Sequence, residues 1–223
     1  MVEFLSLVGY PRGPDFQALQ EIAQLGVQLI EGGEYTLLGH RVLGKGTQSV
    51  VFLGKLEQKL VAVKVLRGDS VRSDVEHEAQ MLKLANQVGV GPKLLAYAKR
   101  VLVMEVVQGV PLERHKQLSD DELVTCVERS LEQAKALDSI SLDHGELSRP
   151  LRHVFYEKAK GAVIIDFESA STKRKPHNFN SLFSFYFVKK GEIQERVKRL
   201  LQPPIMSVTK YSLEPCSTSK WKT

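Results

Sequence analysis

The sequence predicts an α+β fold, with a small antiparallel sheet and one helix in the first half and a mainly helical second half. Three observations carry this reading. Apolar runs bounded by glycine turns recur between residues 44 and 107, a short amphipathic helix interrupts them after Ser73, and from Ser119 onward the apolar period lengthens to that of a helix.

The first of the 223 residues form an apolar stretch, Met1 to Val8, which contains Glu3 and has no basic leader. It is too short to span a bilayer, so neither membrane insertion nor secretion is expected. Pro14 and Asp15 mark a helix start. Phe16, Leu19, Ile22, Ala23, Gly26, Leu29 and Ile30 extend one apolar face as far as Gly32-Gly33. This helix is expected to pack on the sheet, with a partner-binding role as the alternative. Next comes the glycine turn Gly44-Lys45-Gly46-Thr47-Gln48-Ser49-Val50-Val51, with Val61-Ala62-Val63-Lys64 as the returning strand. Two glycines let a backbone pass close to phosphate oxygens, and a lysine on the neighbouring strand supplies a compact positive charge. Either half alone also describes an ordinary hairpin with a snorkelling lysine.

Ser73-Asp74-Val75-Glu76 has the pattern of a capping box and opens a helix with Val75, Ala79, Leu82 and Ala85 on one face. Glu78 in that helix is a candidate partner for Lys64. Glu76 competes with it, and a solvated helix charge is the ordinary role of either. After Gly89-Val90-Gly91-Pro92, Lys93 to Ala98 and Val101 to Val107 read as two strands closed by Gln108-Gly109. Ser119-Asp120-Asp121-Glu122 starts a second helix, whose face runs through Leu123, Val127, Leu131, Ala134 and Leu137. His144-Gly145-Glu146-Leu147-Ser148 follows. Arg152 to Tyr156 and Ala162 to Ile165 then pair around a Lys-Ala-Lys-Gly turn and lead into Asp166-Phe167-Glu168. A hard carboxylate ending an apolar strand suits a magnesium-nucleotide, although a lone aspartate there is usually a turn former. Asn178 to Val188 reads as a helix burying Phe179, Leu182, Phe183, Tyr186 and Phe187. Ile193, Val197, Leu200 and Leu201 continue it, Pro203-Pro204 stops it, and an extended tail with Trp221 is expected from Ile205.

In order and spacing, residues 44 to 168 resemble the protein-kinase-like superfamily. The resemblance implies a compact two-lobed fold with ATP in the cleft. An N-terminal lobe with the leading helix and ATP-binding sheet covers 1–107, a compact helical C-terminal lobe 108–204, and a basic tail 205–223. It implies that Gly44, Gly46, Ser49 and Val51 form the phosphate loop, and that Ala62 and Met104 line the adenine pocket. Core packing is the plain alternative for Met104. The Glu105 carbonyl and Val107 backbone would offer the adenine edge, in a hinge running from Leu102 to Val107. Lys64 and Glu78 would position phosphates, Asp166 would hold magnesium, and Glu146 would orient the acceptor or take its proton.

Within the superfamily the chain is similar to the RIO type and to the small kinase of the archaeal KEOPS complex, whose loop reads HGDLS followed by an asparagine. Three departures stand out. Glu146 replaces the aspartate, Leu151 with no metal-coordinating atom replaces the asparagine, and Glu168 replaces the glycine of DFG. There is no Ala-Pro-Glu motif, and little chain separates Glu168 from the next helix. The resemblance implies an ATP-dependent phosphotransferase, a RIO-like atypical serine/threonine kinase with a degenerate loop. The alternative is a pseudokinase, a nucleotide-dependent protein or RNA binding module that binds without turnover. Small-molecule phosphotransferases share the cleft but usually read HGDxxxxN with a larger helical lobe. Glutamate and aspartate differ little in basicity, but Glu146 reaches one methylene further, and a misplacement of about 1 Å costs on the order of 100-fold in rate. Ser148, His153 and Glu168 are substitute metal-site candidates, Arg149 is a candidate for neutralising phosphate charge, and His144 reads as a structural histidine rather than a proton shuttle.

Lysine and arginine number 31 against 26 acidic residues, a formal charge of +5. Lys173-Arg174-Lys175, Lys189, Lys190, Arg196, Lys198, Arg199, Lys210, Lys220 and Lys222 concentrate this charge in the C-terminal half. Such a surface suits RNA or an acidic protein, and a solvated face is the plainer alternative because no RNA-binding motif accompanies it. Two cysteines, Cys126 and Cys216, supply neither a metal set nor a disulfide framework, so a cytoplasmic protein is expected.

Overall fold

The computed structural model describes residues 2–201. The expectations for Pro203-Pro204, Cys216, Trp221 and the tail from Ile205 lie outside the described residues.

A short helix α1 (Val2–Leu5) and α2 (Phe16–Gln24) precede β1 (Gln28–Ile30), β2 (Tyr35–Leu37), β3 (His40–Val42), β4 (Gly44–Lys45), β5 (Ser49–Leu56) and β6 (Lys59–Leu66). Helix α3 (Glu76–Gln87) separates these from β7 (Leu94–Tyr97) and β8 (Val101–Glu105). The main sheet runs β1-β5-β6-β8-β7, with β4 on the part of β5 that β1 leaves free, and every pairing is antiparallel. Both faces of β6 are covered, which is why Val61 to Leu66 is continuously buried instead of alternating. Val61, Val63 and Val65 join Phe52, Val101 and Val103 against Phe4, Leu7, Val8, Ala18 and Ile22 of the leading segment. On the other face Leu66 and Leu102 pack with Ala79, Leu82 and Ala85 of α3. The leading helix therefore packs on the sheet.

That helix is shorter than its apolar face implies. It ends at Gln24, and Leu29 and Ile30 belong to β1. Gly26 takes φ 69°, and Val27 N–H donates to the Ile22 carbonyl at 3.1 Å while Gly26 N–H donates to Ala23 at 3.0 Å. These two bonds close a Schellman motif, so Gly26 terminates the helix that Gly32-Gly33 was expected to end. The capping box at Ser73 also does not form. Val75 N–H donates to the Lys99 carbonyl at 2.9 Å, the helix begins at Glu76, and Asp74 Oδ1 accepts Glu76 N–H at 3.2 Å.

In the second half, β9 (Val110–Pro111) leads into a 3-10 turn and then α4 (Asp120–Ser139). Here the box does form. Ser119 Oγ accepts Glu122 N–H and Glu122 Oε2 accepts Ser119 N–H. Strands β10 (Val154–Tyr156) and β11 (Val163–Ile164) pair as expected, and β9 adds a third strand through Phe155 and Tyr156. Helix α5 (Asn178–Phe183), a π-helical turn at Ser184–Val188 and α6 (Glu192–Leu200) complete the lobe. The π turn changes the phase of the aromatic run. Phe185 and Tyr186 are buried, Tyr186 Oη lies 3.0 Å from Ser130 Oγ, and Phe179, Phe183 and Phe187 stack half-buried along the side.

The protein is thus an α+β molecule of two lobes, one sheet-rich and one mainly helical. Among the described residues, no helix is long and apolar enough to cross a membrane.

Candidate functional site

Antiparallel register fixes which side chains meet in the cleft. Ser49 lies opposite Leu66, Val51 opposite Lys64, Ala62 opposite Met104, and Lys64 opposite Leu102. Directly opposed residues share a face, so Ser49, Val51, Ala62, Lys64 and Met104 lie together on the side facing α3. Met104 also packs, partly buried, on the core. The glycine turn folds back through Gly44–Val51 and Lys45–Val50 pairs and closes with Gly46 N–H donating to Ser49 O at 2.8 Å. A Cβ on Gly44 would meet nothing within 4 Å, and one on Gly46 would meet only Ser49 at 3.6 Å or more. The fold itself therefore tolerates a side chain at both positions. A backbone cradle for an incoming anion is what a Cβ would fill. At the end of β8, Glu105 accepts from Lys160 Nζ at 2.7 Å, and Val107 beyond it is half-buried.

At the back of the cleft Lys64, only 5% exposed, donates to Glu78 Oε1 at 2.7 Å, Asp166 Oδ1 at 3.0 Å and Glu168 Oε2 at 3.3 Å. Glu78 is 6% exposed, whereas Glu76 is solvent-facing and accepts from Gln80. Arg72 Nε lies 2.8 Å from the second oxygen of Glu168. Burial alone would pull the Lys64 ammonium down, but the three carboxylates hold it above the usual lysine range. Burial pushes Glu78 up, with Lys64 opposing. For Asp166 burial also pushes up, and Lys64 more than compensates, leaving the carboxyl below its ordinary range. Three carboxylates face two cations, and one oxygen from each of Glu78, Asp166 and Glu168 falls within 4.8 Å of the others. A surplus negative charge on clustered hard oxygens fits a magnesium ion. Asp166 sits at φ 69°, a left-handed conformation at the end of β11, with its side chain 39% exposed.

The loop after α4 is held from beneath. His144 is fully buried, with its backbone N–H donating to Asn178 Oδ1 at 2.8 Å and its ring edge-on to Phe167 at 5.0 Å. Nε2 lies 3.0 Å from the Ile165 carbonyl, and Nδ1 accepts Glu146 N–H at 3.4 Å. Both contacts are satisfied by the neutral ring with its proton on Nε2. Burial, with His153 adding to it, pushes the imidazole down to about 4. A folded pKa below the unfolded value near 6.5 gives stability that is present above that value and lost as pH falls through about 4. The expected loss is about 3 kcal/mol across this window. Urea unfolding at pH 7 and pH 4.5 checks it against His144→Gln, and equal pH dependence in the two proteins would refute it.

Glu146 Oε1 accepts from Ser169 Oγ at 2.9 Å. The short segment after Glu168 is stapled down. Ser171 bridges to Asp143 by two backbone bonds, and Arg174 donates to Asp143 Oδ2 at 2.8 Å and Ser169 O at 2.6 Å. Gly145 at φ 87° leaves room for this crossing, since a Cβ would lie 2.8 Å from Arg174 Nη2 and Ser169 O. Leu151, in the 3-10 turn Pro150–Arg152, packs on the helical-lobe core. Among the substitutes considered from sequence, only Glu168 joins the acid cluster. Ser148 gives its carbonyl to Lys189, and Arg149 is exposed. Arg174 and Arg196 are committed to structural partners, whereas Lys173, Lys175 and Lys190 are exposed.

Sequence reasoning missed Arg72, Ser169 and the Asp138-Asn178 pair. Asn178 donates to Asp138 Oδ1 and to Leu142 O while accepting from His144, and Asp138 Oδ2 accepts Phe179 N–H. The only sequence signal was an asparagine opening a helix. Asn178→Ala strips partners from several buried groups, and a loss of about 2–4 kcal/mol in urea unfolding is expected.

A RIO domain family model matches residues 56–184, from the end of β5 to just beyond α5. No curated protein matches the chain.

Proposed function

The chain belongs to the RIO family of protein-kinase-like proteins, and we propose that it is an ATP-dependent phosphotransferase, an atypical serine/threonine kinase with a degenerate catalytic loop. The observation that carries this is the buried Lys64–Glu78 pair joined to Asp166 beside an unobstructed glycine turn. In this reading Gly44, Gly46, Ser49 and Val51 receive the phosphates, Ala62 and Met104 flank the adenine, and the Glu105 and Val107 backbone supplies its polar edge. Lys64, oriented by Glu78, positions the phosphates, and Asp166 holds the metal, with Glu168 as its neighbour. Bound magnesium would supply charge neutralisation on the phosphate oxygens. Glu146 orients the acceptor hydroxyl or takes its proton, and Ser169 fixes its carboxylate. Exposed Arg149, Lys173 and Lys175 on and over the same loop favour an anionic acceptor, a protein or an RNA-bound one.

A second reading, a pseudokinase working as a nucleotide-dependent protein or RNA binding module, is favoured by Leu151, whose apolar side chain packs on the core and offers no metal-ligating atom. One experiment separates the two. Purified protein is incubated with magnesium and γ-labelled ATP, and both nucleotide binding and label transfer to itself or a generic protein acceptor are followed. Binding with transfer is the expected result. Binding without turnover supports the pseudokinase, and absence of binding overturns both.

A further inference from the structure

Arg72 belongs to no motif of the sequence, yet it stands at the centre of the cleft's charge balance. Glu168 places one oxygen 3.3 Å from Lys64 Nζ and the other 2.8 Å from Arg72 Nε, so a single carboxylate bridges two cations. Lys64 is additionally bound to Glu78 and Asp166, both at shorter distance. Glu78 is buried against it, and Glu168 makes the longest of the three contacts, so Glu168 is the anion that Lys64 holds least closely.

The loop carrying Arg72 is also fastened to the glycine turn. Gln48 Oε1 accepts Ser70 Oγ at 2.9 Å and Val71 N–H at 3.1 Å, and Ser70 Oγ in turn accepts Arg72 N–H at 3.1 Å. Arg67 N–H donates to Gln48 O at 2.8 Å, and Arg67 Nη1 to Gly46 O at 3.1 Å. Arg72 is therefore carried on a loop fastened to that turn, and its side chain reaches the acid that also contacts Lys64. The Arg72 side chain is 34% exposed, and its planar fork matches phosphate oxygens better than an ammonium does.

We propose that Arg72 is a second phosphate-binding cation of this cleft and that Glu168 occupies its seat as an internal anion until a phosphate displaces it. The proposal rests on the reading of the cleft as a nucleotide site and names a residue and an exchange that reading does not contain. A phosphate group offers the same bridging oxygens with more charge, so it competes directly for Arg72 and Lys64. Glu168 thereby opposes the binding of metal-free polyphosphates.

Calorimetric titration of ATP, tripolyphosphate and adenosine into wild type, Arg72→Ala and Glu168→Gln, with the metal chelated, tests this. Arg72→Ala is expected to weaken ATP and tripolyphosphate about tenfold or more while leaving adenosine unchanged. Glu168→Gln is expected to tighten both polyphosphates severalfold in the absence of metal. Unchanged polyphosphate affinity in Arg72→Ala, equal weakening of adenosine, or weaker polyphosphate binding by Glu168→Gln would each overturn the proposal. The nucleotide reading fails separately. If wild type binds tripolyphosphate in an Arg72-dependent way but neither ATP nor adenosine, the anion seat stands and the nucleotide site does not. If wild type binds none of the three, both fall.

Discussion

Asp166→Asn is expected to lower label transfer from ATP by at least about 100-fold while leaving the folded protein almost as stable as wild type. Asparagine is the informative substitution because Asp166 sits at φ 69°, a conformation that asparagine adopts readily and alanine does not. The side chain keeps its size and loses its charge. Lys64 retains Glu78 and Glu168 as anionic partners, and Asp166 is 39% exposed, so the lost ion pair costs little, within about 1 kcal/mol. Removing one of three crowded carboxylates also relieves repulsion on Glu78, whose carboxyl is pushed up by burial with Asp166 adding to it. Transfer and stability should therefore separate. Urea unfolding beside the label-transfer assay measures both, and full transfer by Asp166→Asn would remove this carboxylate from the metal site.

What was legible in the sequence had local causes. The box at Ser119 forms because both of its partners lie within one turn. Order along the chain offered Glu78 as the partner of Lys64 with Glu76 as its competitor, and the face that the helix turns to the sheet selects Glu78. Much of what was missed was decided by distant chain. Ser73 fails as a cap because Asp74 takes Glu76 N–H and Lys99, in another turn, takes Val75 N–H. Gly26 counted as a small apolar residue on a helical face, although its φ of 69° makes it the terminus. Arg72 has no periodic neighbours and gains its place only through Gln48 and Glu168. Asn178 reaches His144 and Asp138 across more than thirty residues, which no single-sequence pattern encodes. The π turn at Ser184–Val188 likewise redirects Phe185 and Phe187 against the helical period.

Lys64→Met tests the same cluster from the opposite side and should do the opposite. Removing the ammonium leaves Glu78, 6% exposed, beside two further acids, with Arg72 bound to one of them. Breaking a buried pair from one side typically costs about 3–5 kcal/mol, and that loss is expected at pH 7 together with loss of ATP binding. The pH dependence identifies the cause. In wild type, Lys64 has a raised folded pKa, so its contribution is complete below the unfolded lysine value and is lost only as pH rises through the higher folded one. Asp166, with a lowered folded pKa, contributes above the unfolded aspartate value and loses that contribution as pH falls. Both contributions are therefore present between pH 5 and 7. Without Lys64 the remaining carboxylates bind protons more readily when folded, so as pH falls from 7 to 5 the variant should lose less stability than wild type, the loss through His144 being common to both. Lys64→Met combined with Glu78→Leu should recover most of the stability, because an apolar pair of similar size carries no buried charge, yet it should still not bind ATP. A single Lys64→Met variant with wild-type stability and ATP affinity at pH 7 would show that the buried ammonium neither holds the cluster together nor meets the nucleotide.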